Sequence, residues 1–175
     1  NPDCGGLISY NYISGEPITG LAEGRPLFVR SSSDKFNLAN FMRAHLHASV
    51  GVLKIGNDIL FNEEKIKVDR ITGHGGLFKT AGVGQRILAA AINSPISVME
   101  TAGEGGSWGI ALLASYLVNN PKGLPLDEYL DRVVFAGNTG VEIAPTPEDV
   151  EGFNKYIENY KACLGIEQTA VNCKK

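Results

Sequence analysis

The chain has 175 residues, 43% of them hydrophobic and 20% charged, enough apolar material to bury the core of one soluble domain. Its formal net charge of -3 is spread along the chain, and the one Lys/Arg block is the terminal pair Lys174 and Lys175. No basic field exists to hold a nucleic-acid backbone, so no DNA or RNA partner is expected. No run of eighteen apolar residues occurs and Asn1-Pro2-Asp3 does not make a signal peptide, so the expectation is a cytoplasmic protein with no membrane partner. Cys4, Cys163 and Cys173 are far apart and lack CxxC spacing, which predicts reduced thiols rather than a zinc or redox site. The sequence opens at Asn1 without an initiator Met and reads as a piece of a longer protein.

Residues 5 to 30 mix β-prone runs, Leu7 to Tyr10 and Leu27 to Val29, with glycine and proline punctuation, which predicts short strands and loops. From Asn37 the spacing turns helical: Leu38, Phe41, Ala44, Ala48, Val52, Ile55 and Ile59 predict a helix of roughly six turns ending near Phe61, capped by Asp34 or Asn37. Ile66 to Ile71 alternates with period two and predicts a strand that runs straight into Gly73-His74-Gly75-Gly76. Val83, Ile87, Leu88, Ala91 and Ile92 write the next helix, stopped at Asn93-Ser94-Pro95. A second strand, Ile96 to Met99, leads to a second glycine-rich loop, Gly103 to Ser107. That loop opens an apolar helix, Trp108 to Leu117, whose small residues suit close packing on a sheet. Pro121, Pro125, Pro145 and Pro147 punctuate the remainder. An amphipathic helix from Pro147 to about Leu164 closes it, with Val150, Phe153, Ile157, Tyr160 and Leu164 on one face.

The order strand, glycine loop, helix, strand, glycine loop, helix is that of a βαβ unit with parallel strands, whose ligands bind at the strands' C-terminal ends. A glycine there lets the backbone press against a flat base or a phosphate, and a helix N-terminus behind it favours an anion. One such loop, matching neither GxGxxG nor GxxxxGK[ST], is an ordinary tight turn; two after neighbouring strands point to a nucleotide site.

The stretch Ile71 to Thr80, then Gln85 to Val98, then Ser107 to Ala114, resembles the adenosine-binding signature of the FGGY carbohydrate kinases, those of xylulose and ribulose in particular. The helix around Phe41-Met42-Arg43-Ala44, and Ala144-Pro145 followed by Phe153, Tyr156 and Tyr160, extend the likeness over nearly the whole chain. The resemblance implies an α/β fold, the actin-like (RNase H-like) ATPase domain forming the C-terminal half of a two-domain sugar kinase, with residues 1-175 as one nucleotide-binding domain. ATP with Mg2+ would be the cofactor. A ketose such as xylulose or ribulose, and the aspartate that takes its proton, would belong to an N-terminal domain upstream of Asn1.

For nucleotide contact the resemblance implies Gly75 and Gly76 against adenine or ribose, Lys79 and Thr80 near ribose or base, and Gly103 to Gly106 as the opposing wall. No catalytic residue and no metal ligand is expected in this chain. Three departures stand out: Leu77 where a third glycine is common, narrowing the room beside the base, Ala89 or Ala90 where an Asp is usual in the following helix, and Trp108 where Leu is usual, expected as core packing. His45 and His47, two apart on a helix, point to different faces and are expected to be packing or surface residues rather than to share a metal. His74 is expected to make a local structural hydrogen bond, and Glu100, Glu104, Asp127, Glu128 and Asp131 to be solvated. Two other readings compete. One is another ATPase of the actin-like superfamily, such as a dehydratase activator, which scattered cysteines disfavour. The other is a non-catalytic nucleotide-binding or interaction module, with which a homodimer through the apolar face is compatible.

Overall fold

The computed structural model describes residues 1–120, 122–137 and 140–173; Pro121, Lys174 and Lys175, singled out above, lie outside the described residues. In chain order the elements are β1 (Ile8–Tyr10), β2 (Leu27–Val29), α1 (Leu38–Asp58), β3 (Ile71–Gly73), α2 (Val83–Ile92), β4 (Ile96–Val98), α3 (Gly105–Val118), α4 (Leu126–Tyr129), β5 (Val141–Ile143), α5 (Pro147–Ala162) and α6 (Leu164–Cys173). They fall into two compact units. The first comprises Asn1–Asp69, Ile87–Ser94 and Pro145–Lys175, and the second Arg70–Arg86 and Pro95–Ala144.

In the first unit β1 and β2 pair antiparallel, Ile8 opposite Val29 and Tyr10 opposite Leu27. Of the two candidate caps, Asn37 starts α1: its side-chain oxygen accepts from Asn40 N at 2.9 Å, satisfying a donor that the helix itself leaves free. The helix then widens into the turn Ile59–Glu63, close to the expected end. Thr146 caps α5 by accepting from Asp149 N, with Pro147 in the first turn, where its missing N–H costs nothing.

One face of α5 buries Phe153, Tyr156, Ile157 and Tyr160, while Val150 and Leu164 are half-buried and the helix stops at Ala162. A further helix, α6, follows, which the sequence reading did not anticipate. The aromatic core satisfies its own hydroxyls: Tyr10 donates to Tyr160 O at 2.6 Å and Tyr160 to the Tyr12 hydroxyl at 2.6 Å. His47 is buried between Phe153 and Tyr156, with Nε2 3.0 Å from Pro2 O. His45 Nδ1 meets Ser9 Oγ at 2.9 Å, so both histidines serve packing, as expected. Cys4 lies in the turn Cys4–Gly6, fully buried, and burial pushes its thiol up to about 12. Leu88 to Ile92 complete this core from the second half of α2.

In the second unit β3 and β4 are parallel, Ile71 opposite Ile96 and Gly73 opposite Val98, as the βαβ reading requires. The strand expected from Ile66 begins only at Ile71. Lys65 has a positive φ of 54° and Ile66 N donates to Leu60 O, so the chain is still turning there. Ile66 and Val68 alternate with polar residues yet stay half exposed, and among the described residues no strand pairs with them. A third strand, β5, adds antiparallel to β4 and was not foreseen. Gln85 ties the sheet to α2: its buried Nε2 donates to Ile96 O and to Val141 O, each at 2.6 Å.

The largest departure is α3. It starts inside the glycine-rich stretch, at Gly105, and buries none of its described residues. Ile110 is 70% exposed and Leu117 82%, so the expected close packing of this helix on the sheet does not hold. Ile110, Leu113 and Leu117 recur at helical spacing and form an outward stripe. Tyr129 of α4 reaches the helix from the other side, its hydroxyl 3.0 Å from Ser115 Oγ. Asp127 and Asp131 are exposed, as expected. Among the described residues no helix is long and apolar enough to cross a membrane.

Candidate functional site

Because β3 and β4 run parallel, the turns that follow them emerge on the same edge of the sheet, and a backbone bond joins them. Gly75 N donates to Ala102 O at 2.8 Å. Gly75 has φ 105° and ψ -179°, a region that only glycine enters without strain, so this residue is fixed by the turn itself.

The glycines divide into two sets. Four are filled by neighbours: a Cβ at Gly73 would meet the Phe78 ring at 2.5 Å, at Gly84 Leu77 Cγ at 2.6 Å, at Gly103 Lys79 Cγ at 3.1 Å, and at Gly105 His74 Nδ1 at 3.3 Å. These let side chains of the first turn lie flat on the second turn and on α2. A Cβ at Gly75, Gly76, Gly106 or Gly109 would meet nothing within 4 Å. That second set leaves bare backbone facing open space.

Two grooves result. The first, about 560 Å³, runs between Gly75 and the stretch Gly103 to Gly106, with His74, Trp108 and Phe135 on its walls. The second, about 450 Å³, is lined by Lys79, Thr80 and Gly82 on one side and Val98, Glu100 and Val141 on the other. The structure therefore brings Gly75, Gly103 and Gly106 together on one groove and puts Lys79 and Thr80 on the other, while Gly76 presents open space. A larger groove of about 620 Å³ lies in the first unit along α5, between Pro145 and Glu158, but no strand end or glycine turn opens onto it. Ligands of parallel sheets gather at strand C-termini, so the site belongs with the glycine turns.

Lys79 is not a free loop cation. Its Nζ is 2.9 Å from Glu104 Oε1, and this hydrogen bond and charge hold the Glu104 carboxyl below its ordinary range. Thr80 is exposed, and its carbonyl, not its hydroxyl, accepts from Val83 N at the start of α2. Leu77 packs on Gly84 instead of projecting beside Gly75. The ring of His74 makes no hydrogen bond among the described residues; it rests against Gly105. Trp108, expected in the core, is half-buried on the groove wall, its ring 5.5 Å from that of Phe135. Phe135 and the groove-wall place of Trp108 are what the residue-by-residue reading missed, whereas Glu104 is exposed, as expected, and pairs with Lys79. The available signal was a lone tryptophan opening a helix directly behind a glycine-rich turn. Among the described residues, no group of three His, Cys, Asp or Glu could hold a metal ion.

Residues 1–118 match the family described as "FGGY family of carbohydrate kinases, C-terminal domain". No curated protein matches. Among solved structures, gluconate kinase from Lactobacillus acidophilus is similar with a TM-score of 0.70 at 22% identity, over 97% of this chain and 33% of that one. Plasmodium falciparum glycerol kinase with ADP follows at 0.66 and 18%, over 94% of this chain and 31% of that one. Xylulose kinase from Rhodospirillum rubrum gives 0.59 and 17%, over 95% and 31%. At these identities the likeness carries the fold, which is the α/β, actin-like ATPase fold expected from the sequence. The chain spans about a third of the length of the kinases it matches.

Proposed function

This chain belongs to the FGGY family of carbohydrate kinases, whose C-terminal domain it matches, and from that premise we propose that it is the nucleotide-binding domain of an ATP-dependent sugar kinase. The observation that carries this reading is the pair of glycine turns on one sheet edge, locked by Gly75 N to Ala102 O, with Gly75, Gly76 and Gly106 leaving bare backbone toward open space. Such a surface admits a flat base or ribose where any side chain would stand in the way. The N-terminus of α3, which opens at Gly105 with no side-chain cap among the described residues, offers N–H groups suited to a phosphate.

In this reading Gly75 and Gly76 lie against adenine or ribose, Lys79 and Thr80 lie near ribose or base, and Gly103 to Gly106 form the opposing wall. Mg2+ would arrive with the phosphates of ATP and neutralise charge during transfer. Residues 1-175 act as one domain, and the sugar and its proton acceptor belong to a further N-terminal domain in a cytoplasmic enzyme. The ketose assignment, xylulose or ribulose, rests on the sequence likeness; the similar structures are kinases of gluconate, glycerol and xylulose.

Calorimetric titration of the chain with ADP tests the nucleotide reading. Saturable heat is expected, and Gly76→Trp should abolish it, since the open space at Gly76 lets the indole enter the site without displacing protein atoms. Absence of heat at millimolar ADP would refute it. No sugar phosphorylation is expected from this chain alone, and turnover without added protein would sink the proposed division of labour.

The exposed stripe Ile110, Leu113 and Leu117 favours a second reading, an interaction module that covers this face with a partner or a second copy. Sedimentation of the chain and of Leu117→Glu distinguishes them: a dimer lost in the variant supports the module, and a monomer in both counts against a homodimer.

A further inference from the structure

Trp108 is the only tryptophan of the chain, and it stands where a packing residue was expected. It is half-buried and lines the first groove beside Phe135, its ring tilted 33° against that of Phe135 at a centroid distance of 5.5 Å. The same groove is lined by glycine backbone: Gly75, from the first turn, and Gly106 and Gly109, from the helix of Trp108 itself, have nothing within 4 Å of a Cβ position. The groove therefore combines a pair of aromatic rings with bare peptide. That is a slot for a flat, π-rich ring.

The polar inventory agrees. Among the described residues Glu104 is the one carboxylate on this groove and is neutralised by Lys79, and His74 and Ser107 are the other polar side chains at its edge. A polyol would need more convergent donors and acceptors than this. The second groove has Phe78 but no bare-backbone wall across from it, and Lys79, Thr80 and Glu100 make its lining polar.

Resting on the nucleotide reading above, we propose that Trp108 is the stacking wall for the purine base of the nucleotide, which assigns the base to the Trp108 groove rather than to the groove of Lys79 and Thr80. Trp108 is then a positioning and specificity residue whose contribution comes from stacking on the base, worth roughly a tenfold change in affinity. An aromatic replacement keeps the wall; an aliphatic one removes its π-face.

The test uses the 175-residue chain and ADP. Because Trp108 is the sole tryptophan, its emission reports directly and without mutation: ADP should quench it along the same saturation curve as the calorimetric heat. Trp108→Phe should bind ADP within about threefold of the original chain, and Trp108→Leu about tenfold more weakly. Ala81→Trp, which crowds the second groove where Lys79 and Thr80 stand, should weaken ADP less than Trp108→Leu does. Heat with unmoved emission and unweakened Trp108→Leu overturns the proposal while leaving nucleotide binding standing. Loss of binding in Ala81→Trp together with retention in Trp108→Leu moves the base to the other groove and also overturns it. Neither heat nor quenching in the unmutated chain overturns both readings together.

Discussion

Lys79 Nζ lies 2.9 Å from Glu104 Oε1, so the cation of the first glycine turn is answered by the carboxylate of the second, across the flat surface of Gly103. Both side chains are well exposed, and pairs of this kind add little to stability. Their effect is on charge at the site: neither group meets a ligand with its full field.

The Glu104 carboxyl should therefore titrate below the ordinary carboxylate range, first through its hydrogen bond from Lys79 and then through the charge. In Lys79→Met its midpoint should return to that range. Side-chain carboxyl NMR during an acid titration measures both, and an unchanged midpoint would show that the pair does not persist in solution. The thermal midpoint at neutral pH should barely move.

His47 carries the acid sensitivity of the first unit. Burial lowers its pKa to about 4, only partly offset by its bond to Pro2 O. Nε2 donates to that carbonyl, and Nδ1 is buried with no partner among the described residues, so a second proton there would find no acceptor. A folded pKa below the unfolded value makes the unfolded chain bind more protons between the two. Stability is then fully present above pH 6.5 and is lost as pH falls toward 4, by roughly 3 kcal/mol in total. Urea unfolding from pH 7 to pH 4.5 should show this slope, and His47→Phe should flatten it.

Gln85→Leu should destabilise the second unit by about 1–3 kcal/mol, because the carbonyls of Ile96 and Val141 both lose their donor within a buried joint. Hydrogen exchange should localise the loss to β4 and β5. Protection unchanged there would mean that water replaces the amide.

At Gly152 the chain allows no side chain, since an added Cβ would stand 2.6 Å from the backbone carbonyl carbon of Pro2. Gly152→Ala should gain helix propensity and still lose about 1–3 kcal/mol, by pushing residues 1–4 off α5. A denaturant midpoint at or above that of the original chain would contradict the close approach.

The elements legible in the sequence are those whose signals are local. Asn37 followed by apolar residues every three or four positions gives α1, and Thr146-Pro147 gives the start of α5. What failed depends on partners far along the chain. Ile66 and Val68 alternate like a strand but have no neighbour to pair with. Val141-Glu142-Ile143 has too little pattern to announce β5, and becomes a strand because Val98, Ser97 and Ile96 lie beside it. At the site, the two glycine turns were readable because few side chains tolerate those backbones. Which glycines are filled and which stay open was not, because Phe78, Leu77, Lys79 and His74 decide it by folding onto Gly73, Gly84, Gly103 and Gly105. The same holds for Trp108: its apolar character suggested burial, whereas Phe135 fixes it at a groove wall.

Cys4 gives the first unit an internal clock. With its thiol fully buried and pushed up to about 12, it is almost devoid of thiolate at neutral pH and shielded from any reagent, whereas Cys173 is exposed. In a Cys163→Ser chain, which removes the half-buried third thiol, a maleimide should thus modify Cys173 at once and reach Cys4 only when residues 1–6 lift away. The slow phase of labelling then counts those openings, and places a rate on the breathing of the N-terminal segment without any introduced probe.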